Sequence, residues 1–129
     1  MKKIFSILSV ALVAIFFAAC SNNSPAGAVE EFFTNMKKGN YEKVVDLSYF
    51  KETPTPEQKQ MLVDFVAQGA KMYEKMGGIS SVKIDDCEIS ESGKTAEVTY
   101  TLTFGDGSTK SDTETVVNDE GKWKVKADK

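Results

Sequence analysis

The sequence predicts an α+β domain in which N-terminal helices pack on a curved four-stranded antiparallel β-meander. Three observations carry this reading. Apolar residues recur at helical spacing from Val29 to Met76, the period switches to two from Ser81 onward, and glycine-bearing turns at Gly105-Asp106-Gly107 and Asp119-Glu120-Gly121 separate the alternating runs. With 129 residues, 41% of them apolar and 27% charged, the chain has room for one domain around one core.

The elements follow in order. Ser24-Pro25 is a cap and first-turn proline, and Val29, Phe32, Phe33 and Met36 form the apolar stripe of a helix that ends at Gly39 with Lys37 and Lys38 in its last turn. Asn40 caps a shorter helix in which Tyr41, Val44, Val45 and Ser48 share a face. Thr55 and Gln58 have capping-box spacing around Pro56, opening a third helix that runs to about Met76 and stops at Gly77-Gly78. Its periodicity predicts that Met61, Leu62, Phe65, Val66, Gly69, Met72 and Met76 are core.

In the sheet half, Ala96, Val98, Tyr100, Leu102 and Phe104 alternate with Thr95, Glu97, Thr99, Thr101 and Thr103, as in a half-buried strand. Ile89 and Cys87 pair with Ala96 and Val98, and a bulge at Asp85-Asp86 brings Val82 and Ile84 back into phase. A two-residue turn at Asp106-Gly107 places Tyr100 opposite Thr113 and Leu102 opposite Ser111. A three-residue turn at residues 119–121 then pairs Val117 with Trp123 and Thr115 with Val125. In that register Thr109, Ser111, Thr113 and Thr115 face the core, and Tyr100, Ser111, Thr113, Thr115 and Trp123 line a pocket. The opposite phase turns the hydroxyls to solvent, and both registers stay open, because a slip of one residue exchanges the two faces.

The N-terminus has a separate logic. Lys2 and Lys3 precede an apolar run over residues 4–19, broken by Ser6 and Ser9, that ends in Ala18-Ala19-Cys20. This is the charged, apolar and small-residue order of a secretory signal, and the run is short for a membrane span. Phe17-Ala18-Ala19-Cys20 resembles the lipobox of bacterial lipoproteins, departing from it at Phe17, where leucine is more usual. The resemblance implies cleavage before Cys20 and attachment there of acyl chains such as palmitate. Ser21, standing where enteric bacteria place an aspartate to retain lipoproteins in the inner membrane, implies an outer-membrane position facing the periplasm. The expected division is a signal peptide at 1–19, a lipidated cysteine and polar tether at 20–27, and one domain at 28–129.

Composition narrows the chemistry. The net charge of −3 becomes −5 without Lys2 and Lys3, which disfavours nucleic acid. All 16 basic residues are lysine and histidine is absent, removing the guanidinium fork and the commonest general base and metal ligand. Ala28-Val29-Glu30-Glu31-Phe32-Phe33 through Gly39-Asn40-Tyr41-Glu42-Lys43-Val44-Val45, followed by a long helix and a bent meander ending in Trp123-Lys124-Val125, resembles the nuclear transport factor 2-like, or cystatin-like, superfamily and its lipoprotein families of unknown function. Enzymes of that superfamily set acids and tyrosines inside the cone. The counterparts in this chain are Tyr41, Tyr49, Tyr73, Tyr100, Asp46 and Asp64, but no spacing singles out an acid–base pair. Asp85, Asp86 and Glu88 lack a calcium-loop pattern, and Cys87 reads as a small buried hydrophobe. The expectation is a non-catalytic domain without metal or cofactor, held to a membrane through Cys20. It binds a small neutral or weakly polar ligand or, alternatively, docks on an envelope protein. An exposed apolar patch would favour docking, whereas a carboxylate within hydrogen-bond reach of a tyrosine inside the cone would favour an enzyme.

Overall fold

The computed structural model describes residues 24–127; Cys20 and the expected signal peptide lie outside them. Helix α1 (Pro25–Lys38) begins at Ser24, whose hydroxyl accepts from the Gly27 amide at 3.0 Å, and ends at Gly39 in the left-handed region with φ 82°. Residues 25–27, expected as tether, are therefore the buried first turn of this helix. Helix α2 (Tyr41–Asp46) stops two residues short of Ser48, the last residue of its expected face. The chain leaves it at Leu47, and the Ser48 hydroxyl donates back to the Val44 carbonyl at 2.8 Å. A short strand β1 (Ser48–Tyr49) follows, which periodicity could not reveal in two residues. Helix α3 (Pro56–Glu74) opens with the expected capping box, Gln58 amide to Thr55 hydroxyl at 3.1 Å and Thr55 amide to Gln58 side chain at 2.9 Å.

Strands β2 (Ile79–Ile89), β3 (Thr95–Phe104), β4 (Thr109–Asp119) and β5 (Lys122–Lys126) form the expected meander. With β1 added parallel to β5, the sheet has five strands in the order β1-β5-β4-β3-β2. Ile89 pairs with Ala96 and Cys87 with Val98, and the register shift between Ile84 and Asp86 is the expected bulge.

Both remaining turns differ from expectation by one residue. The β3–β4 loop is Gly105-Asp106-Gly107, closed by Phe104 amide to Ser108 carbonyl and Gly107 amide to Phe104 carbonyl, both 2.9 Å, with Gly107 at φ 89°. Gly105 cannot join the ladder because its amide donates to the Gly78 carbonyl and that of Asp106 to the Met76 carbonyl, each at 2.9 Å, stapling the hairpin to the α3–β2 connection. The β4–β5 turn is the two-residue Glu120-Gly121, with φ 53° and 89°, the primed geometry that suits strand twist. Tyr100 consequently pairs with Asp112, Thr99 with Thr113 and Thr101 with Ser111, so the hydroxyls of β4 occupy the outer face. The two slips cancel at β5: Val116 pairs with Val125, leaving Val125 and Trp123 on the inner face as expected.

Helix α1 lies across that inner face, against β2, β3, β4 and β5. The core is Val29 and Phe33 from α1 with Val98, Tyr100, Leu102, Phe104, Val116 and Val125 from the sheet, and the Phe33 and Tyr100 rings sit 4.8 Å apart. Helix α3 departs from its expected burial. It rests on α2 and reaches the sheet mainly at its C-terminal end, where Tyr73 stacks on Phe104 at 5.4 Å. Ala70 is its one buried residue, whereas Met61, Phe65 and Met72 are 70%, 73% and 67% exposed and Gly69 is exposed too. Leu62, Val66 and Met76 are half-buried. The sheet is already covered by α1, so the α3 stripe has no apolar surface within the domain on which to close.

Candidate functional site

Strand β4 carries a graded inner face. The register turns Val116, Glu114, Asp112 and Lys110 to the same side as Ala96, Val98, Tyr100 and Leu102, their partners on β3. Val116 is fully buried, Glu114 half-buried, and Asp112 and Lys110 exposed. The inner face of the sheet thus passes from a closed apolar core to exposed charged side chains within four alternate positions.

At the boundary the Tyr100 hydroxyl donates to Glu114 Oε2 at 3.1 Å. The Tyr100 residue is 2% exposed, so this bond provides for a phenol that cannot reach bulk water, as buried polar groups require. Burial is the largest influence on the Tyr100 phenol, followed by the charge of Glu114, its hydrogen bond, then Asp112 and Tyr73; together they hold its pKa far above the ordinary tyrosine value. The Tyr73 phenol is also pushed up, by burial first and then by Glu114 and Asp112. Tyr73, Tyr100, Asp112 and Glu114 therefore form one electrostatic group, walled by Phe104 beneath Tyr73.

Of the pocket residues expected from the sequence, Tyr100 belongs here. Ser111, Thr113 and Thr115 do not. Thr113 faces Thr99 at 3.1 Å and Ser111 faces Thr101 at 2.8 Å in an exposed hydroxyl ladder on the outer face, while Thr115 stands opposite Glu97. Trp123 is half-buried on the inner face but pairs with Asn118, six residues along β4 from Asp112 and so about 20 Å away. Lys110, Asp112 and Glu114 were missed because charged residues and hydroxyls occupy both parities of β4, leaving no apolar alternation to set its phase. The usable signal lay across the strands, where like residues Thr99, Thr101 and Thr103 match Thr113, Ser111 and Thr109.

The other acids named from sequence lie elsewhere. Asp46 lines a cleft of about 520 Å³ between α2 and α3, with Gly39, Asn40, Tyr41 and Val63, where Lys59 pairs with it at 2.8 Å and with Glu42 at 4.0 Å. Although this cleft is roomy, its charges answer one another, whereas the inner face of β4 offers polar groups converging beside aromatic walls. Asp64 accepts from the Gln60 side chain at 3.2 Å on the exposed side of α3. Asp85 accepts from Thr101 at 2.6 Å and faces Lys83 at 3.7 Å. Cys87 is half-buried on the inner face, its thiol pushed up to about 11 by burial and by Asp86. Among the described residues no helix is long and apolar enough to cross a membrane.

Helices packed on one face of a bent, mixed five-stranded sheet give the chain a fold similar to that of nuclear transport factor 2-like proteins. The fold matches that of a protein described as an NTF2-like transpeptidase from Campylobacter jejuni, at 18% identity and TM-score 0.66 over 81% of this chain and 98% of that one. It also matches a SEC-C motif protein from Rhodopseudomonas palustris, at 16% identity and TM-score 0.54 over 81% and 76% of the two chains. A Mycobacterium tuberculosis protein of unknown function matches at 8% identity and TM-score 0.52 over 78% and 68%. The chain belongs to the family described as Domain of unknown function (DUF4878), whose model matches residues 18–126. No curated protein sequence matches it.

Proposed function

We propose that this domain binds a small polar ligand at the charged end of the sheet's inner face, and that lipid on Cys20 tethers it to the bacterial envelope, on the periplasmic side of the outer membrane. The observation that carries the binding reading is Glu114, turned inward on a central strand and accepting from the buried Tyr100 hydroxyl at 3.1 Å. Asp112 stands exposed on the same face two residues away, so this end of the inner face carries two carboxylates beside a phenol. This changes the expected ligand from neutral to donor-bearing: an amine, amide or hydroxyl compound whose apolar part lies against the half-buried Tyr73. The reading is non-catalytic. The Tyr100–Glu114 pair meets the geometric condition for an enzyme, but the two groups are engaged with each other at 3.1 Å, which holds the carboxylate as an acceptor within the domain. Cys87, with a thiol near 11, is a poor nucleophile for transpeptidation. The protein-docking alternative draws support from the exposed side chains of α3.

Native mass spectrometry of the full chain, purified from its own envelope in mild detergent, tests the binding reading. A bound small mass present in the wild type and lost in Glu114→Gln is expected. A wild type without adduct, or an adduct that survives the substitution, refutes it. The anchoring reading draws support from the family match, which begins at residue 18 and so takes in Ala18-Ala19-Cys20. Cys20→Ala should abolish labelling by an alkynyl fatty acid, and undiminished label in that variant overturns the anchor.

A further inference from the structure

Helix α3 presents Gln58, Met61, Phe65, Gln68 and Met72 at alternating three- and four-residue spacing, the seam of a coiled-coil pair, yet Met61, Phe65 and Met72 are 70%, 73% and 67% exposed. Gly69 stands beside this seam, in the middle of a 19-residue helix, and a Cβ added there would meet nothing within 4 Å. Glycine is the poorest helix former after proline, and no contact among the described residues asks for it. A second helix approaching closely at that point does.

We infer that α3 is the interface of a homodimer in which the two copies of this helix pack antiparallel. The charges on the flank of the seam select this occupant. Asp64 and Lys71 lie on the same flank, about 10 Å apart along one helix and out of reach of each other. In an antiparallel pair centred between Phe65 and Gln68, Met61 meets Met72 of the second copy, and Asp64 comes beside Lys71 of the second copy, twice by symmetry. A parallel pair would instead put this flank on opposite sides of the seam in the two copies and leave Asp64 and Lys71 unmatched. A membrane surface fits less well, because Glu57, Asp64 and Glu74 offset Lys59 and Lys71 and leave no basic excess for anionic lipid. The patch formed by the seam, Leu62 and Gly69 is on the order of 600–800 Å² per copy, the lower range of specific interfaces. The dimer is therefore of modest affinity and is strengthened where copies are confined together.

Sedimentation velocity on the chain from Ser24 onward, whose core lies wholly within the described residues, tests this over roughly 1–200 μM. A concentration-dependent dimer is expected, with Phe65→Glu and Gly69→Leu each leaving monomer. Asp64→Lys and Lys71→Asp should each weaken association at least tenfold, the double variant should recover it, and an equimolar mixture of the two single variants should recover it as a heterodimer. Far-ultraviolet circular dichroism identifies any variant that has lost its helix, and for the charge variants the mixture supplies the readout that instability cannot imitate. A wild type that stays monomeric throughout overturns the inference, as does a dimer indifferent to Phe65→Glu or a charge exchange without rescue. A monomer that floats with phosphatidylethanolamine–phosphatidylglycerol vesicles, and ceases to do so as Phe65→Glu, also overturns it by assigning the face to lipid.

Discussion

Replacing Tyr100 by Phe isolates the polar contact at the edge of the core. The ring keeps its place against Phe33 at 4.8 Å, and only the hydroxyl that donates to Glu114 at 3.1 Å is lost. A hydrogen bond to a charged acceptor is worth about 1.5–3 kcal/mol when both groups are dry. Glu114 is half-buried and can turn to water, so the effect falls to the bottom of that range or just below it, and a loss of about 1–1.5 kcal/mol is expected. In a domain of this size that corresponds to a fall in Tm of roughly 4–10 °C. Urea unfolding followed by Trp123 fluorescence gives the stability, and a double-mutant cycle with Glu114→Gln separates the pair from its surroundings. A coupling energy of about 1 kcal/mol is expected. A Tyr100→Phe variant as stable as the wild type, with coupling below about 0.3 kcal/mol, would mean that the bond does not hold Glu114 in place, and the inward carboxylate would lose its role as a preset binding group.

The remaining predictions address pH, the outer face and the hairpin staple. Cys87 is raised to about 11 and Tyr73 and Tyr100 are raised above 10.0, so the folded state holds protons that the unfolded chain releases first. Stability should be level below about pH 9 and fall as pH climbs through the thiol and phenol ranges; melts between pH 7 and 11 should show this, with a shallower decline in Cys87→Ala, and a flat profile contradicts it. Thr113→Val with Thr115→Val should change stability by no more than about 0.5 kcal/mol per site and leave ligand retention intact, at the cost of more aggregation, since these side chains point outward. Loss of ligand in that variant, read by native mass spectrometry, would return the hydroxyls to the site. Gly105→Ala would drive a methyl group into the Gly77 backbone, and a loss of roughly 1–3 kcal/mol in urea unfolding is expected. A neutral result there would mean that the α3–β2 connection is free to shift.

The sequence by itself determined the fold class and every element except the two-residue β1, because those depend on local chemistry. The cap at Ser24, the left-handed Gly39, the capping box at Thr55 and the period-two run of β3 each act through a few neighbouring residues, and all appear where they were read. The bulge at Asp85 was legible for a related reason: Cys87 and Ile84 can both face inward only if one residue is extra. Tertiary structure alone decided the phase of β4 and the exposure of α3. An Asp-Gly pair suits a two-residue turn in isolation, but the Gly105 and Asp106 amides bond to the chain entering β2, and that distant contact fixes a three-residue loop and turns every side chain of β4 over. Likewise the apolar period of α3 records that a face is to be covered but not by what. Helix α1 occupies the sheet first, so Met61, Phe65 and Met72 remain outside. Local propensity acts over one turn of chain, whereas register and burial are settled by which surfaces compete for the same space.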